Sequence, residues 1–349
     1  MSIVEVINTS EIQDFDYTNL SSEPSFSALH QLVLFDDIPN NHSFLIKEDD
    51  EIIAACPLLV ENKTINDEDF KVGSMFNLSL PGPLIFCKDA YTKNNIKNIV
   101  KKVLQTIEDK SQKNSISKIQ YHFSDIGCWQ NISSFLYKEL HRKHYLDVSL
   151  LYQRVDISNT PDIMMKLCSK GHRAILKKIK LKVEFQSNIE LELSNREFKK
   201  KMNVYDLDES KIKYFFNLYQ NNRLEFCNFF ISGEEVGNMV FLKNNRDVSY
   251  YLSHKNDAFD LPIHHIGLWE AMKKYHFEGY QYLDLGIAFF GNSINYVPSA
   301  KQLGITVFKS GFGGEVCPFI RFEKYFDKKL YEYEQNLKVN NYKQHYFNV

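Results

Sequence analysis

The stretch GITVFKSGFGGEV, from Gly304 to Val316, places four of the chain's fourteen glycines around one lysine, Lys309. A P-loop, GxxxxGK followed by Ser or Thr, needs a glycine directly before its lysine, and Phe308 stands there instead. A dinucleotide-binding GxGxxG is absent as well, since GFGGEV leads into β-prone residues rather than a helix. We therefore predict a β-segment in which the glycines permit a bulge and present Lys309 as a compact cation. An edge strand with a merely solvated lysine is the alternative.

The composition is that of a soluble globular protein with room for two domains. The chain has 349 residues, of which 44% are hydrophobic and 25% charged, and its net charge is −2. A dedicated nucleic-acid-binding protein would carry a basic surplus. The N-terminus lacks the basic and apolar regions of a signal peptide, and no uncharged apolar segment is long enough to span a membrane. We expect a cytoplasmic protein.

Cysteine and histidine spacing argues against a metal site. The six cysteines are scattered without a CxxC pair, which is typical of buried thiols in a reducing compartment. The histidines of HRKH (141–144) and the adjacent His264 and His265 lack Cys or carboxylate partners at metal-binding spacing. We predict no metal.

Two parts of the chain repeat one order of elements: hairpin, helix, strand. In the first half a hairpin begins at His42 around the polar EDDE turn, and a strand, ISKIQYHF, follows a helix. The apolar residues at helical spacing in that helix are Ile96, Ile99, Val100, Val103, Leu104 and Ile107. In the second half a hairpin turns at 244–246, a helix begins at Pro262 and ends at Gly279, and the strand YQYLDLGIAFF follows. The pattern predicts an α/β (α+β) protein built by structural duplication.

A basic helix is predicted over 160–181, between the two halves. Thr160 can cap it, Pro161 suits its first turn, and Gly171 could kink it. One face carries a stripe of cations, which comprises Lys166, Lys170, Arg173, Lys177 and Lys180. The stripe is either a solvated surface face or a cationic wall for phosphate groups, and RNA is a third candidate ligand.

The segment GLWEAMKKYHFEGYQYLDLG (267–286), followed by GITVFKSGFGGEV, resembles the C-terminal half of the FemABX-type transferases. PGPL (81–84), YQNNRLEF (219–226) and the basic helix are similar to further segments of that family. The resemblance spans most of the chain and implies two GNAT-like domains, each a mixed, mostly antiparallel sheet flanked by helices. The implied domains are 1–185, including the basic helix, and 200–330, followed by a C-terminal tail at 331–349.

The resemblance also implies acyl transfer to an amine. FemABX proteins move an aminoacyl group from tRNA to a cell-wall precursor, and similar GNAT-like proteins use acyl-CoA and modify amino sugars or other envelope components. We expect acyl-CoA or aminoacyl-tRNA as co-substrate, no tightly bound cofactor, and a small-molecule or lipid-linked glycan acceptor that would bring the protein into peripheral contact with a membrane. The chain has no long heptad arm and is mildly acidic, which favours acyl-CoA over tRNA. A non-catalytic binding protein for a phosphorylated glycan or partner is the alternative.

Direct acyl transfer needs positive or N–H groups for the oxyanion and an acceptor for the amine's proton. Given the resemblance, Lys309 is predicted to stabilise the oxyanion, held by Phe308 and Phe312. Asp284 lies mid-strand among apolar residues and is expected to orient Lys309, to accept a proton, or to bind a backbone N–H structurally. His254 is a further candidate base, with a structural role as its alternative.

Substrate binding is assigned first to arginines, because they hold phosphate or carboxylate groups bidentately. The glycines of the opening stretch are predicted to let the substrate approach the backbone. The predicted substrate-binding residues are Arg173, Lys170, Lys177, Arg223, Phe308, Gly311, Phe312 and Gly313. The sequence has no GxSxG motif or Ser-His-Asp arrangement, so no covalent acyl-enzyme is expected.

Overall fold

The chain folds into two compact units. The computed structural model describes residues 4–8, 41–48, 51–75, 82–85, 91–123, 129–178, 182–187, 192–202, 207, 209–243, 247–256, 262–290 and 295–347. Unit 1 comprises Met1–Leu150, Asn292–Val297 and Phe319–Val349, and unit 2 comprises Leu151–Gly291 and Pro298–Pro318.

This division differs from the predicted domain boundaries at two places. The segment that carries the basic stripe belongs to unit 2 rather than to the N-terminal domain. The chain returns to unit 1 from residue 319 onward, so 331–349 is part of that unit rather than a separate tail. The return has a simple cause, because residues 320–325 pair with a strand of unit 1.

Unit 1 contains two groups of strands. The first is an antiparallel sheet in the order β1 (Val4–Asn8), β2 (Phe44–Glu48), β3 (Glu51–Cys56) and β6 (Leu84–Ile85). The second has the order β4 (Leu59–Ile65), β5 (Glu68–Ser74), β7 (Lys118–Phe123) and the end of β15 (Glu315–Tyr325), with β8 (Leu146–Asp147) also paired to β15. The β5–β7 pair is parallel and the others are antiparallel.

Three helices accompany these strands, namely α1 (Lys93–Lys113), α2 (Trp129–Arg142) and α9 (Lys328–Phe347). A capping box between Thr92 and Asn95 begins α1. All six apolar residues predicted at helical spacing are buried in the core of this unit, so the predicted helix is confirmed. The predicted first hairpin is β2 and β3, and the predicted strand after the helix is β7.

Unit 2 is built on one six-stranded sheet. Its order is β10 (Lys182–Gln186), β11 (Leu224–Ile231), β12 (Glu234–Lys243), β13 (Asp247–Lys255), β14 (Tyr282–Ala288) and β9 (Leu150–Asp156). Only the β13–β14 pair of this sheet is parallel. Its helices are α3 (Pro161–Leu167), α4 (Lys170–Lys178), α5 (Asn195–Met202), α6 (Glu209–Gln220), α7 (Ile263–Phe277) and α8 (Ala300–Ser310).

The order of hairpin, helix and strand occurs in both units, but in unit 1 the hairpin in this place is β4–β5 rather than the predicted β2–β3. Strands β4 and β5 are antiparallel and β5 is parallel to β7, just as β12 and β13 are antiparallel and β13 is parallel to β14. Strands β2 and β3 belong to the other sheet of unit 1. The helix of the second half begins one residue after Pro262, which is its N-cap, and Gly279 follows its C-cap. The turns at 49–50 and 244–246 lie outside the described residues. Cys56, Cys168, Cys227 and Cys317 are buried and form no disulfide bond, while Cys87 and Cys128 lie outside the described residues as well.

The prediction of a β-segment around Lys309 is wrong. Residues 300–310 form helix α8, and the strand begins only at Glu315. The cause is a capping box in which Ser299 accepts from the backbone of Gln302 and Gln302 binds back. Gly311 then caps the C-terminus of the helix.

The prediction of one continuous basic helix over 160–181 is also wrong. The chain leaves the helical conformation at Cys168, whose ψ is 147°, so α3 and α4 are separate and the stripe is not one face of one helix. The break precedes Gly171, which lies inside α4. Thr160 occupies the N-cap but its side chain makes no capping bond. Residues 179–181, including Lys180, lie outside the described residues.

Candidate functional site

A bulge in β14 distorts the backbone of unit 2 next to Asp284. Asp284 pairs with Arg154 of β9 and Ile287 pairs with Tyr152, so β14 holds one extra residue over this interval. Gly286 takes a φ of +80°, a conformation that strongly favours glycine. The bulge therefore turns the backbone of 285–287 away from regular pairing.

The strands β13 and β14 part at the same place. Their parallel register runs from Asp247–Tyr282 to Ser249–Asp284 and ends there. Strand β13 has its own irregularity just beyond, where Tyr250 and Leu252 pair with consecutive residues of β12. Asp284 thus lies at the point where two neighbouring strands separate.

Lys309 lies on the bulge from the last turn of α8. Its side chain is buried, with 8% exposed, and Nζ donates a hydrogen bond to the Ile287 carbonyl at 2.9 Å. A Cβ added to Gly286 would lie 3.3 Å from Nζ, so the glycine leaves room for the ammonium group. Burial lowers the pKa of Lys309 to about 8, and the negative charge of Asp284 opposes that change.

Asp284 is the acidic residue whose charge interacts with that of Lys309. Its Oδ1 accepts the N–H of Gly286 at 2.6 Å. Burial raises the pKa of Asp284 to about 6; that hydrogen bond and the charges of Lys309 and Arg154 oppose the change, whereas Asp247 adds to it. At pH 7 the carboxylate is therefore mostly ionised and the ammonium mostly protonated, with both pKa values close to neutrality. Such a pair can accept a proton and stabilise an anion in one place.

A groove of about 520 Å³ opens in unit 2 between the first turn of α7 and one side of α8, from Lys301 to Phe308. Both helix N-termini and two lysines lie at it, and this combination attracts anions. The residues that line the groove are Lys255, Pro262, His264, His265, Lys301, Gly304, Ile305 and Phe308. Its size is that of a small-molecule site.

One wall behind the groove consists of stacked histidine and phenylalanine rings. The rings of His172 and His265 lie 4.5 Å apart, and the ring of Phe308 lies 4.8 Å from that of His265. His172 donates from Nε2 to the Phe308 carbonyl at 2.9 Å. Burial lowers the pKa of His172 and brings the pKa of His265 to about 4, so both rings are neutral at pH 7.

This wall explains the glycines that follow α8. A Cβ on Gly311 would lie 2.0 Å from the His172 ring. Gly313 has a φ of +78°, and a Cβ there would lie 2.4 Å from the Leu167 carbonyl oxygen. The space that these two glycines leave is filled by the protein's own atoms, which is a different use from the predicted approach of substrate.

The predicted cations of the basic stripe are not gathered at Lys309. Arg173 donates to the carbonyls of Lys166 (2.9 Å) and Cys168 (2.7 Å), so its guanidinium caps the C-terminus of α3. Lys170 and Lys177 are exposed on α4.

The remaining predicted residues are divided between the site and the core. Phe308 lines the groove and Phe312 is buried in the core. Arg223 follows α6, with its backbone bonded to Leu218, and His254 lies in β13 opposite Asn238. Among the contacts of the described residues, none joins Arg223 or His254 to Lys309 or Asp284.

Sequence reasoning missed Arg154. This residue lies opposite Asp284 across β9 and β14, stacks 4.2 Å above the Tyr282 ring and binds Glu315 at 3.1 Å. Nothing in the local sequence LLYQRVD distinguishes it, because its role depends on the pairing of β9 with β14. No group of three or more metal-ligating side chains occurs in the described ranges. None of the helices given above combines the length and apolarity that are needed to cross a membrane.

Comparison with solved structures identifies the fold. The chain superimposes on FemX with a TM-score of 0.64 over 95% of this chain and 100% of the other, at 12% identity. The fold is FemX-like. It is also similar to a tandem GNAT protein from the clavulanic acid biosynthesis pathway, with a TM-score of 0.52, 7% identity and coverage of 93% and 98%. L-PGS from Bacillus licheniformis gives 0.53 at 15% identity, with coverage of 90% and 91%.

Sequence comparison adds no relative to these structural matches. No protein-family model matches the chain, and no curated protein matches it significantly. The predicted family of folds, paired GNAT-like domains of the FemABX type, is nevertheless the one that the structure has. Identities this low establish the fold, and function has to be argued from the site.

Proposed function

We propose that this protein is an acyltransferase that moves an acyl or aminoacyl group from an activated donor to an amine by direct transfer. The observation that carries the proposal is the pair of Asp284 and Lys309 on the bulge of β14, where β13 and β14 separate. A buried ammonium and a partly buried carboxylate both cost folding free energy, and here the pKa values of both groups are drawn toward neutrality, which is more typical of a functional site than of a structural ion pair.

Each residue has a separate task in the proposed reaction. The acceptor amine attacks the donor carbonyl, and the negative charge that develops on the carbonyl oxygen is stabilised by the Lys309 ammonium. The Asp284 carboxylate accepts the proton that the amine loses as the new C–N bond forms. The tetrahedral intermediate then expels the thiolate or alkoxide of the donor, which takes up the proton from Asp284, and the amide product is released.

Acyl-CoA is the favoured donor, with aminoacyl-tRNA as the alternative. The groove at α7 and α8 has the size of a small-molecule site, and Lys255 and Lys301 beside two helix N-termini suit the phosphates of a coenzyme. The chain is mildly acidic, so it has no overall excess of positive charge with which to bind a long polynucleotide. The proposed acceptor is the amine of an amino sugar or cell-envelope precursor, modified in the cytoplasm.

The test offers a panel of amine acceptors with either acyl-CoA or charged tRNA, with and without RNase. Transfer from acyl-CoA that survives RNase is the expected result, whereas transfer abolished by RNase would reassign the donor to tRNA. Lys309→Met should lower turnover by at least about a hundredfold, as removal of an oxyanion donor does. Lys182→Met is the control, because Lys182 is exposed on the edge strand β10.

The direct-transfer mechanism has its own test. Rapid-quench mass spectrometry should detect no stoichiometric acyl-enzyme during turnover. If the protein binds donors and acceptors but turns over none, it is a binding protein and the proposal is wrong.

A further inference from the structure

A polar cavity of about 380 Å³ lies in unit 1, where the β4–β5 hairpin meets the C-terminus of α1. Its polar lining residues are His42, Asn62, Lys71, Lys113, Asn114 and Ser115. Val60 is the one apolar residue of the lining, and none of the lining residues is acidic. The volume is that of a small-molecule site, and a lining of this kind suits a polar, negatively charged ligand.

The hairpin and the helix each bring one lysine to this cavity. Lys71 pairs directly with Asn62 across β5 and β4, so both side chains stand on the same face of the hairpin. Nζ of Lys71 donates to the Asn114 carbonyl at 3.3 Å, and Asn114 directly follows Lys113, the last residue of α1. This hydrogen bond holds the Lys71 ammonium group at the end of the helix that carries Lys113.

Acidic side chains do not neutralise these two lysines. No carboxylate of the described residues forms an ion pair with Lys71 or Lys113. Asp69, two residues before Lys71 on the same face of β5, accepts a threonine hydroxyl at 2.6 Å. Asp109, one turn before Lys113, accepts from a glutamine amide of its own helix at 2.8 Å. The carboxylates closest in sequence are therefore bound to other partners.

His42 responds to the positive charge around the cavity. Its backbone N–H donates to the Leu58 carbonyl at 2.8 Å, which places His42 beside the start of β4. Burial lowers the pKa of the His42 ring, and the charges of Lys110 and Lys71 lower it further. Of the described residues, no carboxylate opposes this change. The ring is therefore mostly neutral at pH 7, and its N–H can donate to an anion.

The C-terminus of α1 accounts for only part of this arrangement. Lys110 and Lys113 occupy the last turn, where cations interact favourably with the helix dipole. The carbonyl groups there are already bonded, because the backbone N–H groups of 114–116 donate to the carbonyls of 110–112 at 2.9–3.1 Å. An ammonium group has three donors, and Lys71 uses one of them on the helix end. The remaining donors of Lys71 and those of Lys113 are available to a ligand.

We propose that this cavity binds a small hydroxylated phosphate ester, with its phosphate held by Lys71, Lys113 and the ring N–H of His42. Ammonium groups bind phosphate through charge-assisted hydrogen bonds. The side chains of Asn62 and Ser115 can donate to and accept from the hydroxyl groups of the ligand. All of these residues belong to unit 1 and none has a role in the proposed acyl transfer, so failure of either proposal leaves the other untouched.

The test follows the ring nitrogens of His42 in the full-length protein by NMR, at constant ionic strength in a phosphate-free buffer. Their signals are assigned by their loss in His42→Gln. Ribose 5-phosphate should shift the signals saturably and raise the pKa of His42, because a bound anion offsets the charges of the neighbouring lysines.

Two further ligands separate the parts of the proposed interaction. Ribose should leave the signals of His42 unchanged, and inorganic phosphate should shift them only at about tenfold higher concentration, because it lacks the hydroxylated part. Signals that respond to neither phosphate overturn the proposal. Equal affinity for ribose 5-phosphate and inorganic phosphate would contradict the binding of an ester.

Variants add a second, independent readout by calorimetry. The double variant Lys71→Gln/Lys113→Gln should bind ribose 5-phosphate at least about tenfold more weakly, because two ammonium donors are lost. The matched control is Lys63→Gln/Lys93→Gln, which removes one exposed lysine from the same hairpin and one from the same helix, and its affinity should be unchanged. All four lysines are exposed, so both double variants should fold. Unchanged affinity in the first double variant, or equal weakening in both, contradicts the proposal.

Discussion

Replacing Lys309 by methionine should make the protein more stable at neutral pH, because the buried ammonium group opposes folding. Burial lowers the pKa of Lys309 from 10.5 to about 8, which corresponds to about 3 kcal/mol of destabilisation when the group is charged. Methionine removes that charge at similar volume. It also loses the hydrogen bond to the Ile287 carbonyl, worth about 1 kcal/mol. We expect Lys309→Met to be more stable by about 1–2 kcal/mol at pH 7.

The pH dependence gives the sharper signature. Below pH 8 the lysine is protonated in both the folded and the unfolded chain, so its cost is fully present. Between pH 8 and 10.5 the folded lysine loses its proton first, so the free energy of unfolding of the wild type rises across that window. The variant lacks this rise, and its advantage over the wild type should vanish by about pH 10.

The assay is urea denaturation of wild type and variant at steps from pH 7 to pH 10, taking the difference in the free energy of unfolding at each step. Lys301→Met is the matched control, because Lys301 is an exposed lysine of the same helix and should give a difference that does not vary with pH. If the difference for Lys309→Met is equally flat, Lys309 carries no destabilising buried charge at the bulge.

Three further outcomes follow from the same site. Turnover, measured by steady-state kinetics, should follow a bell-shaped pH profile with limbs near pH 6 and pH 8. Asp284→Asn should lower the maximum of this profile by about a hundredfold. A profile that keeps its acid limb in the variant contradicts the role of Asp284. Gly311→Ala should destabilise the protein by about 1–3 kcal/mol, because the added methyl group would overpack against the His172 imidazole ring. Gly304→Ala, in open space on α8, should stabilise the protein by up to about 1 kcal/mol through its higher helix propensity. Thermal denaturation of both variants compares the two effects, and equal changes in stability would be inconsistent with the fold. Gly286→Ala should lower the free energy of unfolding by about 1–3 kcal/mol because this position has a positive φ, and it should lower turnover by crowding the Lys309 ammonium. A variant with wild-type stability and turnover would argue against the bulge geometry.

Periodicity predicted the elements whose residues interact mainly with their sequence neighbours. Helix α1 was predictable because apolar side chains at helical spacing form one buried face. The hairpins β2–β3 and β12–β13 were predictable because their strands are joined by short polar turns. These elements indicate the order of hairpin, helix and strand, but they do not show that β4–β5 rather than β2–β3 is the counterpart of β12–β13, because that depends on the parallel pairing of β5 with β7.

The segment around Lys309 was misassigned because glycine and β-branched residues hide a helix there. Gly304, Ile305, Thr306 and Val307 all have low helix propensity, yet α8 forms from its capping box at Ser299. The spacing of Ser299 and Gln302 was the available signal. Local propensity was outweighed by this capping box.

The site itself was only partly predictable. Asp284 stood out as a carboxylate within an apolar strand, and the structure places it beside the bulge, near Lys309. The close approach of His172 to Gly311 and the pairing of Arg154 with Asp284 join residues that are far apart in the chain. Such contacts depend on the folded topology, which no local pattern contains.

The most direct test of the proposed chemistry is single-turnover acyl transfer to amine acceptors by wild type, Lys309→Met and the control Lys182→Met, with donor affinity measured in parallel. We expect transfer by the wild type and the control, and a rate at least about a hundredfold lower for Lys309→Met with donor affinity unchanged. Transfer by Lys309→Met at the wild-type rate, or no transfer by the wild type to any acceptor from either donor, would contradict it.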